Sequence, residues 1–319
     1  MTAKLSAALR EAPATVPAAA AIVLFVVWAS DQGGYPLTHW APAGVLVLAL
    51  LGIAAALVRR AAGTMPRVVA VALGCLAAYT ALSYLSILWA AAPGEAWEGA
   101  DRTLLYLAVF ALFAAWRQTG LTAAALLLAW VLALTGLAIH SLVHVGSAGT
   151  SGLAATFPSG RLVYPSGYPN ANAAQWLMAL WPAVLMARSE RLHWALRGLL
   201  AGAAVLLADV ALLSQSRGSL YATPVMLVLV FAFVPRRVRT FAVLVPVAAA
   251  VAAAAPSILR VGDHLSGGAV TAANVHSAVR ASFISAAAAG AVVAAGWLLE
   301  RRLRLSAPAQ ARARRALAV

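Results

Sequence analysis

Residues 121–145 read LTAAALLLAWVLALTGLAIHSLVHV, a run without a single Asp, Glu, Lys or Arg. A helix crossing a bilayer upright needs about 20 predominantly apolar residues, and this run supplies them. Working outward, comparable runs recur at approximately 12–30, 40–58, 68–90, 103–116, 172–187, 198–213, 219–234, 240–259 and 281–299. Several are short and must borrow from their flanks to span. None shows the strict alternation of a transmembrane β-strand. The pattern predicts an all-α, polytopic transmembrane helical bundle of about ten spans. Residues 1–11 form a cytoplasmic N-terminus, 12–299 the transmembrane helical domain and 300–319 a basic cytoplasmic tail.

Composition agrees. The chain is 63% hydrophobic and 10% charged, against about 25% charged for an ordinary soluble domain. Mean hydropathy is +0.88. The net charge of +14 does not mark a nucleic-acid binder, because the basic residues sit at the ends of apolar runs and not on one surface. One cysteine, Cys75, excludes an intrachain disulfide and a cysteine-based metal site.

The charges also orient the bundle. With the N-terminus inside, 18 of the 23 basic residues fall in cytoplasmic segments, leaving Arg102, Arg161, Arg217, Arg260 and Arg280 outside. That asymmetry is the positive-inside rule, and it predicts both termini in the cytoplasm. The first run, flanked by Lys4 and Arg10, has no small-x-small cleavage signature and reads as an uncleaved helix. The arginine-rich tail faces anionic lipid headgroups, or serves as a plain stop-transfer flank.

Next to the opening run the chain breaks into GRLVYPSGYPNAN at residues 160–172. Irregular, polar backbone beside a bilayer is tolerated where it is buried in protein or lines a wet cavity. A second break, Leu213-Ser214-Gln215-Ser216-Arg217-Gly218-Ser219, makes a tight connection that pins Arg217 near the membrane face. A guanidinium is always charged and grips phosphate oxygens with a two-pronged fork, so Arg161 and Arg217 on one face suit a diphosphate. The competing reading has each arginine snorkelling to ordinary phospholipid.

Other polar residues have bland readings beside functional ones. Asn172 and Gln175 have capping-box spacing at the start of the sixth run. Tyr164 and Tyr168 suit an interfacial belt. Asp209, inside the seventh run, is expected to pair with an arginine from another helix or to sit neutral. His140 and His144 share a face at i, i+4. That spacing can hold zinc, yet no third ligand is evident, and polar packing is the expectation. His264 and His276 lie in the Arg260–Arg280 loop. Residues 89–106, with Trp89 and Trp97, are expected to form an amphipathic segment on the outer surface.

Three of these stretches resemble segments of the O-antigen ligase and polymerase superfamily of bacterial membrane glycosyltransferases. They are Ser86-Ile87-Leu88-Trp89 through Arg102-Thr103-Leu104-Leu105-Tyr106, the Gly160–Ala171 break, and Ser214-Gln215-Ser216-Arg217-Gly218. The likeness covers approximately residues 70–240. It implies glycan transfer from an undecaprenyl-diphosphate carrier to an acceptor at the outer face of the plasma membrane, without a metal or other cofactor. It also implies catalytic roles for Arg161 and Arg217 at the carrier diphosphate, with Arg102, Tyr164, Tyr168 and Asn170 as substrate-binding contacts.

The partners implied are a polyprenyl-diphosphate-linked glycan, membrane lipids and an acceptor the sequence does not identify, with no nucleic acid. The departure from the family lies nearer the C-terminus. There the family carries a large outer loop with a histidine proposed as the base, then further helices, and Arg260–Arg280 is a poor substitute. The resemblance therefore implies the N-terminal part of that architecture, inactive alone if truncated. The alternative is a non-catalytic membrane component or transporter for envelope polysaccharide.

Overall fold

The computed structural model describes residues 15–58, 65–114, 119–262 and 270–303. The expected cytoplasmic segment 1–11, Arg59, Arg60, Arg117, His264 and the tail from 304 onward lie outside the described residues. All regular structure among the described residues is helical. The long helices are α1 (Thr15–Ser30), α2 (Leu37–Val58), α3 (Arg67–Ser86), α4 (Pro93–Ala114), α5 (Gly120–Ser147), α7 (Pro169–Ala187), α8 (Trp194–Leu213), α9 (Arg217–Phe233), α10 (Arg237–Leu259) and α11 (Ala272–Leu303). A short α6 (Thr150–Thr156) precedes the 160–172 break.

Within the described residues, each apolar run falls largely on one of these long helices. Among the described residues, 6 are long and apolar enough to cross a membrane: α2, α3, α5, α8, α10 and α11. Helices α1 and α9 are apolar but shorter. The chain is thus a multi-span, all-α membrane protein.

Several helices begin before their apolar runs, α4 and α11 by the most. Helix α11 starts at Ala272, so His276 and Arg280 lie on this helix and not in a loop. At α4 and α7 a proline explains the earlier start. Pro93 and Pro169 occupy first-turn positions, where the missing N–H costs nothing and the fixed φ suits a helix. Residues 93–106, expected as a separate surface segment, are instead the first half of the continuous helix α4. Asn172, expected as a cap, sits a full turn inside α7, whose N-cap is Tyr168.

The chain forms two compact units. In the first, made of Met1–Trp28 and Gly34–Leu127, α4 packs against α2 and α3. Its core joins Ala21, Leu50, Ala54 and Leu112, and beside them Trp40, Val47, Leu105 and Ala108. The Tyr84 hydroxyl donates to Asp101 at 2.6 Å, and Thr80 donates to the Thr103 carbonyl, which fastens α3 to α4.

The second unit, Ala29–Gly33 with Leu128–Val319, is built around α8. Helices α7, α10 and α11 pack on it, and 78% of its apolar window is buried. Small residues allow this. A Cβ at Gly198 would stand 2.6 Å from the Gly290 carbonyl oxygen, and one at Gly202 would stand 2.9 Å from that of Ala286. In lipid, where tails are as apolar as leucine, such close backbone approach supplies the packing energy that holds helices together.

Candidate functional site

Helix α8 ends where α9 begins, through Ser214, Gln215 and Ser216. Ser214 caps the end of α8, Gln215 turns the chain in the left-handed region (φ 45), and Ser216 caps α9 by accepting from Ser219 N–H. Arg217 follows as the first residue of α9, exposed and without a side-chain hydrogen bond or ion pair among the described residues. The N-terminus of α9 therefore presents a guanidinium together with the positive end of a 17-residue helix.

The 160–172 break folds onto this turn. Its backbone is ordered by Val163 N–H to the Thr156 carbonyl, by Gly167 N–H to the Val163 carbonyl, and by Gln32 N–H to the Pro165 carbonyl. Gly167 turns the chain at φ 78, a conformation glycine adopts without strain. Leu162 is fully buried, and its N–H donates to the Leu213 carbonyl at 3.0 Å.

Asn172, also fully buried, donates to the Leu162 carbonyl and to the Ser214 hydroxyl, while its own carbonyl accepts from Gln175. Every polar atom of that amide is engaged, as burial requires. A third strand of chain closes the arrangement at Gly262, where a Cβ would overlap both the Gln215 amide and the Gly160 carbonyl oxygen.

Arg161 is the side chain this scaffold aims. Its Nε donates to the Ser214 carbonyl at 3.4 Å, and one terminal nitrogen donates to Asn170 Oδ1 at 3.2 Å. Asn170 in turn donates to the Tyr168 hydroxyl at 2.9 Å. Arg161, Asn170 and Tyr168 thus form one chain of contacts at the rim, joined to the turn that carries Arg217. Tyr164, from the same loop, meets α5: its hydroxyl lies 3.1 Å from His140 Nε2, and its ring stacks on His144 at 4.4 Å between centroids. His276 donates to the Gly146 carbonyl at 2.7 Å.

Five of the six expected site residues therefore belong to this one polar end of the second unit. Arg102 belongs to the first unit and has partners there. It pairs with Glu98 at 2.6 Å, donates to the Tyr35 carbonyl, and lies over the Tyr35 ring at 4.6 Å. Among the described residues Asp209 has no arginine partner. It is fully buried in α8 and accepts from the Ser285 hydroxyl of α11 at 3.2 Å, with the Ser282 hydroxyl facing it.

Sequence reasoning missed the part played by Asn172, Ser214 and Gly262. The alternation of Gly, Pro and Asn signalled a loop, but no local signal states which turn that loop docks on. Among the described residues there is no group of three or more His, Cys, Asp or Glu that could hold a metal ion.

No family model matches the chain, and no curated protein or solved structure matches it either.

Proposed function

We propose that the chain is an O-antigen ligase-like protein of the bacterial plasma membrane, with about ten crossings and both termini in the cytoplasm. It holds a polyprenyl-diphosphate-linked glycan at the outer face. The observation that carries this reading is the docking of the Arg161 loop on the Ser214–Arg217 turn, which brings a positioned guanidinium to the same turn as an uncommitted one. Together with the α9 N-terminus, these groups make a natural seat for a diphosphate.

In glycan transfer the acceptor oxygen bonds to the anomeric carbon and releases its proton to solvent, the bond to the carrier oxygen breaks, and negative charge collects on the departing diphosphate. Fixed guanidinium groups lower the barrier by meeting that charge as it develops. Asn170 and Tyr168 steady Arg161, and Tyr164 lines the loop beside them. Arg102 is the weakest member of the set, since its guanidinium already has a carboxylate.

The test is binding and transfer with a lipid-linked glycan. The Arg161→Ala and Arg217→Ala chains should lose diphosphate binding, and the assignment fails if both retain binding and transfer. A second reading, a transporter or assembly subunit for envelope glycans, draws on the buried carboxyl of Asp209, since ionisable groups at such depth mark transport pathways by default. Carrier binding without transfer, even with acceptors supplied, favours that reading.

A further inference from the structure

At the end of α7 and α8 opposite the Arg161 loop, four arginines and two glutamates from separate segments form one network, and two of the arginines lie over Trp297. Arg197 is buried among them. Its Nε donates to the Ala187 carbonyl and a terminal nitrogen donates to the Arg188 carbonyl, so it closes the C-terminus of α7. Its guanidinium lies 3.6 Å from the Trp297 ring centroid, with that of Arg239 at 5.4 Å from the same ring. Arg239 bridges Glu190 at 2.7 Å and Glu300 at 3.3 Å, and Arg236 also pairs with Glu190 at 2.7 Å. Arg188 donates to the Pro235 carbonyl and to the Thr240 hydroxyl through a single terminal nitrogen.

The charges in this cluster do not cancel. Arg188, Arg197, Arg236 and Arg239 face Glu190 and Glu300, which leaves a surplus of two positive charges among the described residues. Arg188 feels that surplus: burial first, then Arg236 and Arg239, lower its pKa from the ordinary arginine value. Arg236 stays largely exposed, and its charge acts on Arg188, so the two guanidinium groups are close enough to meet one anion. The remaining nitrogens of the Arg188 and Arg236 guanidinium groups offer donors in the fork geometry that phosphate oxygens accept. Trp297 supplies the amphipathic ring that favours the headgroup level of a bilayer.

We propose that Arg188 and Arg236, within this cluster, form a binding site for the phosphate of an acidic phospholipid headgroup. The ligand supplies the negative charge that two glutamates leave wanting. Basic pockets between transmembrane helices recognise acidic headgroups by the same physics. The site is separate from the diphosphate seat, which lies at the other end of the same helices, so each can fail without the other.

The experiment uses the full chain in a neutral detergent, titrated with short-chain phosphatidylglycerol, short-chain phosphatidylcholine or inorganic phosphate, and followed by the ligand-dependent rise in melting temperature. Phosphatidylglycerol should produce a saturable rise that the other two do not. Equal response to phosphatidylcholine overturns the proposal, because choline cancels the charge on which recognition depends. Equal response to inorganic phosphate overturns the lipid assignment. The Arg188→Gln/Arg236→Gln chain should bind phosphatidylglycerol about tenfold more weakly, or worse, since two charge-assisted contacts are removed.

Should that double variant fold poorly, Glu190→Gln keeps the proposal exposed to refutation. It removes a native ion-pair partner, yet should tighten phosphatidylglycerol binding by about threefold, because it frees Arg236 and enlarges the positive surplus. A purely structural network predicts the reverse, and unchanged or weaker binding in Glu190→Gln overturns the proposal.

Discussion

Asn172 Nδ2 stands 2.9 Å from the Ser214 hydroxyl, and the same nitrogen reaches the Leu162 carbonyl at 3.3 Å. One buried amide therefore ties the start of α7, the Arg161 loop and the end of α8 to one another. Replacing Asn172 with Leu leaves a buried hydroxyl and a buried carbonyl short of a donor. Such orphaned groups cost about 1–3 kcal/mol each. Thermal unfolding in detergent should show the Asn172→Leu chain clearly destabilised. Labelling of a cysteine placed at Ser166, buried in the docked loop, should rise as the loop lifts off. Unchanged melting and unchanged labelling would show that the amide is not a strut.

The glycines make opposite predictions in the two units. Gly198 meets the Gly290 carbonyl oxygen so closely that any side chain must push α8 and α11 apart, so Gly198→Val should abolish folding or expression of an intact chain. Gly74 in α3 has nothing within 4 Å of a built Cβ. Gly74→Ala should therefore raise stability, by roughly 0.5–1 kcal/mol, through the better helix propensity of alanine. A melting temperature that falls in Gly74→Ala would mean that this face is covered by something outside the described residues.

How far this could be read from sequence varies by element. Apolar periodicity and length located each long helix, because those signals are local and lipid admits few alternatives. Helix starts at Pro93 and Pro169 were displaced because a proline at the first turn extends a helix into residues that look like loop. Arg161 and Arg217 stood out as polar breaks, and the tight turn before Arg217 was legible from its length. The contact that joins their segments is not local: Arg161 bonds Ser214 across 53 positions, and no pattern of residue types encodes that pairing. Arg102 illustrates the converse. Its partner Glu98 lies at i−4 on the same helix, so the ion pair was readable once α4 was known to begin at Pro93.

Asp209 offers a test of what a carboxyl does inside the bundle. One of its oxygens accepts from Ser285, while the other, like the Ser282 hydroxyl, has no geometrically sound hydrogen bond among the described residues. An incompletely satisfied buried carboxyl contributes little to stability and is often replaced without loss. Asp209→Asn should melt at the same temperature as the parent chain or higher. If the protein is a carrier-lipid transferase, its activity should also survive. If instead it is a transporter coupled through this group, melting should be unchanged while transport is lost. A strong fall in melting temperature would show that the carboxylate has a charged partner.

Chemistry rather than charge separates the two arginines of the proposed diphosphate seat. Arg161 is held at two points, with Nε on the Ser214 carbonyl and a terminal nitrogen on Asn170, and both depend on the planar fork. Arg217 makes no such contacts among the described residues and sits exposed on the first turn of α9. Lysine keeps the charge of either residue but offers a point charge on a flexible stem. Arg161→Lys should therefore weaken diphosphate binding by about tenfold, because the positioned donors are lost. Arg217→Lys should keep most of it, within about threefold, since proximity of a charge suffices there. Binding of a diphosphate-bearing polyprenyl lipid, compared with its monophosphate, reads the difference directly. Equal losses in the two lysine variants would mean that the contacts holding Arg161 do not govern how it meets the ligand.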